Sequence, residues 1–354
     1  MKKSGLTIVY ICLFFALCLL PALGMAVLGP SPLLANESAP RTPALISRDG
    51  TLNTGVLADV SNYAETRFAF RPYLVSARSF LYEKLLHTSA EPQVVLGKEG
   101  ELFYASTVDD YTGTGLSDGE LRQIAAHLKE VQDALEARGV RFLFAVAPNK
   151  SSLIPGSMPD RYPEDLSGSN ARRLLPLLRE SGVNTADLYA PLEGRQDLYY
   201  RTDSHWTAEG AALAADTLLA ALDRESGFFA GPFTEQGLHA GDLYQMMYPT
   251  GKGREAELVY APGFTYETAS DPRGGNAITI RTACEAGTGS LYCLRDSFGI
   301  ALYPYLAEAF ETAEFSRSAD YSLAAFESVD ADTVILEIVE RNLAQLLPEE
   351  EPAA

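Results

Sequence analysis

Hydrophobic positions in the middle of the chain switch between a helical and a strand spacing. Apolar residues recur every three or four positions over residues 121–135, after a capping box formed by Ser117 and Glu120, and Gly139 ends the predicted helix. Residues 140–147 are continuously apolar, which is typical of a strand buried on both faces. By the same criteria, further strands are predicted at 183–188, 277–284, 290–294 and 333–339, and further helices at 171–180, 207–222 and 300–310.

This alternation of strands and helices predicts an α/β fold with a parallel sheet covered by helices on both faces. We therefore expect a three-layer α/β/α arrangement. Ligand sites in such sheets lie beyond the carboxyl ends of the strands. The residues that follow the predicted strands are for that reason the first candidates for a functional site.

The N-terminus has the pattern of a membrane-directed segment. An apolar run over residues 6–28 follows Met1, Lys2 and Lys3 and reaches the ~20 residues that a helix needs to cross a bilayer. We predict an uncleaved single-pass anchor, and small residues between positions 22 and 26 leave cleavage as a signal peptide open as the alternative. With Lys2 and Lys3 in the cytoplasm, the rest of the chain is expected to be extracytoplasmic.

Composition divides the remaining chain. Residues 1–29 are the predicted anchor or signal, 30–60 a linker rich in Pro, Ser and Asn, 61–346 one α/β domain, and 347–354 a disordered acidic tail. The formal net charge is −19, which argues against binding nucleic acid and against flat contact with anionic lipid headgroups.

Two of the four cysteines lie outside the apolar N-terminal run. Cys284 and Cys293 fall in two predicted strands joined by a Gly-containing turn, and a hairpin there would bring the two sulfurs together. An oxidising compartment permits this disulfide. The alternative is a pair of buried thiols, because spacing alone does not fix the geometry.

The segment around Asp203 and His205 carries the clearest chemistry. Residues two apart in an extended segment point to the same side, so Asp203 is positioned to fix one ring nitrogen of His205 and leave the other free as a base. Ser297 lies where a predicted strand breaks into a helix, a position at which backbone N–H groups also stabilise an oxyanion. The alternatives are a surface hydrogen bond for the pair and a helix N-cap for the serine.

Other polar residues follow predicted strands at the same edge of the sheet. The functional hypothesis is that Asn149 and Lys150 help to hold an acyl oxyanion, and the structural one is an Asx turn that starts the next loop. Glu340 and Arg341 either line the cleft or form a structural ion pair.

Several of these segments together resemble the DHHW and alginate O-acetyltransferase AlgJ/AlgX group, which has an SGNH-hydrolase-like domain. The matching segments are 94–104, 146–150, the Asp-x-His-Trp motif within 200–206, 295–298 and 339–342. The resemblance implies Ser297 as nucleophile, His205 as base and Asp203 as the orienting acid. It also implies a permuted order, with the Asp/His pair before the serine.

What the resemblance implies for function is an extracytoplasmic O-acetyltransferase that acetylates hydroxyls of a cell-surface or exported polysaccharide through an acyl-enzyme. A multipass membrane O-acyltransferase would deliver the acetyl group, and neither a metal nor a cofactor is expected. A carbohydrate acetyl-esterase and a non-catalytic polysaccharide-binding assembly subunit remain as alternatives. The chain departs from the group at Ser204, in place of His, and at Arg295, where a long cation either crowds the nucleophile turn or faces the substrate.

Overall fold

The computed structural model describes residues 2–34, 37–47, 50–269 and 278–348. The chain divides into two compact units, one formed by Met1–Val94 with Asp242–Gly253 and the other by Val95–Gly241 with Arg254–Ala354. Most of the predicted acidic tail, from residue 349 onward, lies outside the described residues.

The helices are α1 Lys2–Leu28, α2 Val56–Arg67, α3 Arg71–Leu81, α4 Val108–Tyr111, α5 Asp118–Glu136, α6 Lys150–Leu153, α7 Asn170–Glu180, α8 Tyr189–Leu192, α9 Ala208–Ala221, α10 Asp242–Met247, α11 Gly299–Ala309 and α12 Leu323–Glu327. The strands are β1 Val94–Leu96, β2 Leu102–Tyr104, β3 Arg141–Ala147, β4 Thr185–Ala186, β5 Phe233–His239, β6 Glu255–Tyr260, β7 Glu267–Thr268, β8 Thr279–Ala283, β9 Ser290–Leu294, β10 Thr312–Ser316 and β11 Thr333–Val339.

The first unit contains α1, α2, α3 and α10. Within α1, the stretch Gly5–Leu28 is long and apolar enough to cross a membrane, a property that a signal sequence at the N-terminus shares. The sequence prediction of one apolar N-terminal helix is confirmed at this level.

The second unit is built on a seven-stranded sheet in the order β4-β3-β11-β9-β10-β8-β7. The five neighbouring strands β4, β3, β11, β9 and β10 are parallel. At one edge, β8 is antiparallel to β10, and β7 is antiparallel to β8. All seven residues of the central strand β11 are buried. Two groups of helices complete the α/β fold. One consists of α5, α7 and α12, and the other of α8, α9 and α11.

The sequence patterns located most of these elements. The capping box of α5 is present, with Ser117 accepting from the Glu120 N–H and Glu120 accepting from the Ser117 N–H. Thr207 caps α9 by accepting from the Gly210 N–H. The strand predicted at 183–188 shortens to the two residues of β4. Strand β10 was not predicted, because residues 312–316 carry two charged or polar side chains on the face away from the core.

The predicted hairpin and disulfide between Cys284 and Cys293 are wrong. Strand β10 lies between β8 and β9 in the sheet, so the two strands that carry the cysteines are not neighbours. Both cysteines are free and buried. The Cys284 thiol donates to the Glu308 carbonyl at 3.5 Å, and burial raises the pKa of the Cys293 thiol, which keeps it protonated.

Reduction is therefore expected to leave the stability of the protein unchanged. All four cysteines should titrate as free thiols in the denatured, unreduced protein, and the unfolding temperature should be the same with and without reductant. A disulfide would contribute about 2–4 kcal/mol, so a lower unfolding temperature in reductant would contradict this structure. Cys284→Ala, which cannot form the bond, is the control.

Candidate active site

Ser297, His205 and Asp203 form a continuous hydrogen-bonded chain. The distance between Ser297 Oγ and His205 Nε2 is 2.9 Å, and that between His205 Nδ1 and Asp203 Oδ1 is 2.7 Å. Asp203 is 3% exposed, whereas Ser297 and His205 are half-buried. These are the contacts that a nucleophile, a general base and an orienting carboxylate require.

A closed loop, and not the extended segment expected from the sequence, brings Asp203 to His205. Tyr199 pairs with Trp206 in an isolated antiparallel bridge, and the loop between them turns back on itself. Asp203 Oδ1 accepts the backbone N–H of His205 at 2.9 Å, so the carboxylate also closes the turn. The pairing that was inferred from residue spacing thus results from a side-chain–backbone turn.

An aromatic cluster packs against this loop. Trp206 is 1% exposed, and its Nε1–H donates to the Phe298 carbonyl at 3.1 Å. The Phe298 ring lies 4.8 Å from the His205 ring and 5.0 Å from that of Trp206, between centroids. Phe298 follows the candidate nucleophile directly, so one ring packs against both halves of the site.

The turn that carries Ser297 is fixed by its neighbour Asp296. The Asp296 carboxylate accepts the Phe298 N–H at 2.9 Å, and its second oxygen accepts the Val339 N–H at 2.8 Å and the Asn342 amide at 3.1 Å. These bonds join the end of β9 to the end of β11. Arg295 is fully buried and donates to the Asp296 carbonyl at 2.9 Å, so it supports the turn and is not placed to face a substrate.

Asn149 also has a structural environment. It is fully buried, its amide donates to Asp110 at 2.9 Å, and its backbone N–H donates to Glu340 at 3.0 Å. Burial, together with the repulsion of Glu340, raises the pKa of Asp110 to about 8. Among the described residues the side chain forms no Asx turn, because it serves this buried carboxyl pair.

Lys150 donates hydrogen bonds to the loop that carries Asp203 and His205. Its ammonium group is 4% exposed, pairs with Glu101 at 2.7 Å, and donates to the carbonyls of Tyr200 and Arg201 at 2.9 and 2.7 Å. A third carbonyl, that of Leu102, accepts at 2.9 Å. Burial lowers the pKa of Lys150, and the charge of Glu101 opposes that shift.

Arg341 is the one additional candidate that reaches the nucleophile turn. Its guanidinium lies 5.3 Å from the centre of the Phe298 ring and 5.2 Å from that of Tyr104, within cation–π range of both. The ion pair predicted with Glu340 is not formed among the described residues, since Glu340 is buried against Ser152 and Asn149.

The sequence analysis missed one residue of this site. His239, the last residue of β5, lies 2.8 Å from Asp203 Oδ2 through its Nε2 atom. Its ring stacks on Tyr200 with 4.0 Å between centroids. The available signal was that the chain contains only four histidines, but the separation of 36 positions from Asp203 gave no indication of contact.

The sheet, with a serine, a histidine and an aspartate meeting beyond the carboxyl ends of its strands, defines an α/β protein of the SGNH-hydrolase-like class. The family model described as "SGNH hydrolase-like domain, acetyltransferase AlgX" matches residues 94–275, just over half of the chain. The chain belongs to this family, as its sequence motifs predicted. The matched range contains Asp203 and His205 and ends before Ser297.

Individual proteins agree with this assignment. The chain is 30% identical over 203 residues to the "Probable alginate O-acetylase AlgJ" of Pseudomonas syringae pv. tomato, which covers 54% of this chain and 50% of that protein. The chain thus spans about half the length of the curated relatives it matches. A DHHW family protein from Eubacterium siraeum (TM-score 0.52, 16% identity, 72% of this chain and 98% of that one) shares the fold.

A second solved structure shows the same fold. It is that of Bacillus cereus PatB1 with a sulfonyl adduct, which superposes with a TM-score of 0.54 at 17% identity and covers 72% of this chain and 98% of that one.

Removal of the buried cation under the catalytic loop is expected to destabilise the protein. Lys150→Met leaves Glu101 buried without its partner, so the free energy of unfolding in urea should fall by about 3–5 kcal/mol. Lys129→Met breaks an exposed helical pair with Asp133 and should cost under about 1 kcal/mol. Glu101→Gln added to Lys150→Met should restore part of the loss. Equal effects of Lys150→Met and Lys129→Met would contradict the buried pairing.

Proposed function

We propose that this chain is an extracytoplasmic O-acetyltransferase that transfers acetyl groups to hydroxyls of a cell-surface or exported polysaccharide. The observation that carries the proposal is the chain of contacts from Ser297 Oγ through His205 to Asp203, at 2.9 and 2.7 Å. Membership of the AlgX acetyltransferase family and the name of the AlgJ relatives, probable alginate O-acetylases, support the choice of reaction and of substrate class.

The proposed reaction has two half-reactions at one serine. His205 Nε2 accepts the Ser297 proton as Oγ attacks the acetyl donor, and it then returns that proton to the leaving group. A sugar hydroxyl next attacks the acetyl-enzyme and gives its proton to His205, which protonates Ser297 Oγ as the ester bond breaks. The carboxylate of Asp203 stabilises the imidazolium in both steps.

The negative charge of the tetrahedral intermediate needs donors beside Ser297. The backbone N–H of Ser297 has no acceptor among the described residues and lies at the break between β9 and α11. Arg341, next to the Phe298 ring, brings a positive charge to the same turn. We assign these two groups to the oxyanion and to substrate binding, in place of Asn149, Lys150 and Arg295.

The proposed location determines the source of the acetyl group. With α1 as a single-pass anchor, the catalytic unit works outside the cytoplasm, where acetyl-CoA is absent. A multipass membrane O-acyltransferase is therefore the proposed donor of acetyl groups. No cofactor is needed, because the serine itself carries the acyl group between donor and acceptor.

Substitution of the three residues tests the site. Ser297→Ala and His205→Ala should abolish turnover of an acetyl-ester surrogate, and Asp203→Asn should cost about 10⁴-fold in kcat by favouring the wrong tautomer of His205. The losses should not add in double variants, because the residues act as one unit. Ser226→Ala, at an exposed serine, is the control. Full activity of Ser297→Ala would contradict the proposed site, and no turnover by the wild-type protein would leave a non-catalytic polysaccharide-binding subunit as the remaining function.

The competing function is a carbohydrate acetyl-esterase, which would use the same acyl-enzyme. The two differ only in whether water or a sugar hydroxyl resolves it. Oligosaccharide acceptors added to the wild-type protein should lower acetate release and yield acetylated sugar. Undiminished acetate release without acetylated sugar, across several acceptors, would favour the esterase.

A further inference from the structure

Helix α3 exposes a continuous apolar face. Together with the π-helical segment Tyr82–Leu86 that follows, it carries apolar residues at helical spacing on one side. Tyr73 and Leu85 are 67% and 71% exposed, and the intervening members are also exposed. We define the apolar face of α3 by Tyr73, Leu74, Ala77, Phe80, Leu81 and Leu85.

The opposite side of the helix carries Pro72 and Val75 together with polar groups that have partners in the protein. Ser76 accepts a hydrogen bond from the Thr250 hydroxyl at 2.8 Å, Ser79 is 1% exposed, and Glu83 accepts from the Tyr248 hydroxyl. A surface helix of a water-soluble protein buries its apolar stripe. Helix α3 instead leaves its large apolar side chains exposed, which indicates that its outer environment is apolar.

The neighbouring helix identifies that environment. Gly24, in the last turns of the apolar helix α1, is buried against Ala69 and Phe70, which directly precede α3. A Cβ at Gly24 would lie 2.6 Å from Ala69 Cβ and 2.8 Å from Phe70 Cε2, so the contact depends on glycine. Helix α3 therefore starts beside the end of the stretch that is apolar enough to cross a membrane.

We propose that α3 lies in the headgroup region of a phospholipid bilayer, with its apolar face among the acyl chains. Two cationic side chains lie at the edge of this face. Arg78 stacks over Tyr82 at 5.3 Å, and Lys84, which is 58% exposed, pairs with Glu83 at 2.6 Å. Long cationic side chains and tyrosines at such an edge reach the headgroups while apolar neighbours insert.

Tryptophan quenching in the full-length protein tests this assignment. Leu81→Trp is placed in phosphatidylcholine nanodiscs with and without brominated acyl chains, and the buried native Trp206 supplies a constant background. Brominated lipid should remove most of the added emission, and aqueous iodide should not. Leu23→Trp, in α1, reports insertion of the anchor separately.

Two further results decide between occupants of the face. The first is a triple variant that adds Leu74→Ser and Leu85→Ser to Leu81→Trp. In this variant, brominated lipid should no longer quench the added tryptophan and iodide should quench it, while the helix content stays unchanged. Iodide quenching of Leu81→Trp without bromine quenching would overturn the proposal. Shielding of Leu81→Trp from both quenchers would also overturn the proposal. If dilution of the protein removed this shielding, the face would be assigned to a second copy of the chain. If dilution had no effect, the face would be assigned to another protein segment.

A separate observation concerns Asp203, whose two oxygens contact two different imidazoles. Oδ1 lies 2.7 Å from His205 Nδ1, and Oδ2 lies 2.8 Å from His239 Nε2. Resting on the proposed function, we infer that His239 is a positioning residue, which holds Oδ2 so that Oδ1 stays directed at His205.

The groups around His239 favour its cationic form. Burial lowers the pKa of His239, but the hydrogen bond and charge of Asp203 and the charges of Glu257 and Glu255 on β6 outweigh burial and raise it above its ordinary value. Tyr200, stacked on the ring, is the remaining titratable neighbour, and its pKa is raised to about 12 chiefly by burial.

Two substitutions separate the hydrogen bond from packing. His239→Phe keeps a ring on Tyr200 but has no donor, and should lower kcat about tenfold at unchanged KM, the loss expected for one hydrogen bond to a charged group. His239→Gln keeps a donor and should retain most of the wild-type kcat. A residue that only packed would give the reverse order.

The pH profile supplies a second readout. The ratio of wild-type kcat to that of His239→Phe should be larger at low pH, where His239 is cationic, than at high pH, where it is neutral, because a charged donor binds Oδ2 more strongly. An inactive Ser297→Ala beside variants of His239 with wild-type kcat at every pH would overturn this inference alone, whereas a fully active Ser297→Ala would overturn the proposed function.

Discussion

A single buried ammonium group connects the sheet to the catalytic loop. Lys150 follows strand β3, and its charge is removed from water almost completely, so each of its donors needs a partner nearby. Glu101 supplies the opposite charge, and the carbonyls of Tyr200 and Arg201 supply the rest. Because those carbonyls belong to the loop that carries Asp203 and His205, satisfying the cation also fixes the position of the His205 imidazole.

The same reasoning explains the other polar residues at the strand ends. The carboxyl ends of β3, β9 and β11 are adjacent, and each is followed by buried polar groups. Asp296 ties the serine turn to β11, and Asn149 joins β3 to Glu340. Most of this edge is therefore scaffold. Among the described residues of this edge, the proposed chemistry uses Ser297, His205 and Asp203. Arg341 lies beside the Phe298 ring, and His239 contacts Asp203.

The two units of the chain differ in which side chains they bury. In the catalytic unit, polar groups are buried and must be paired, which gives the rigid geometry that transition-state stabilisation requires. In the N-terminal unit, apolar groups of α3 are exposed while polar ones are buried.

The sequence by itself determined the alternating elements, the capped helices α5 and α9 and the apolar N-terminal helix, since local periodicity and short motifs encode them. It also singled out Ser297, His205 and Asp203, which the structure brings into hydrogen-bonding contact. It did not determine which strands are neighbours, and so the disulfide prediction failed when β10 came between β8 and β9. The roles of the other polar residues depend on contacts between distant positions, which only the tertiary structure brings together. These contacts bury Asn149, Lys150 and Arg295 against structural partners. They also place His239 against Asp203.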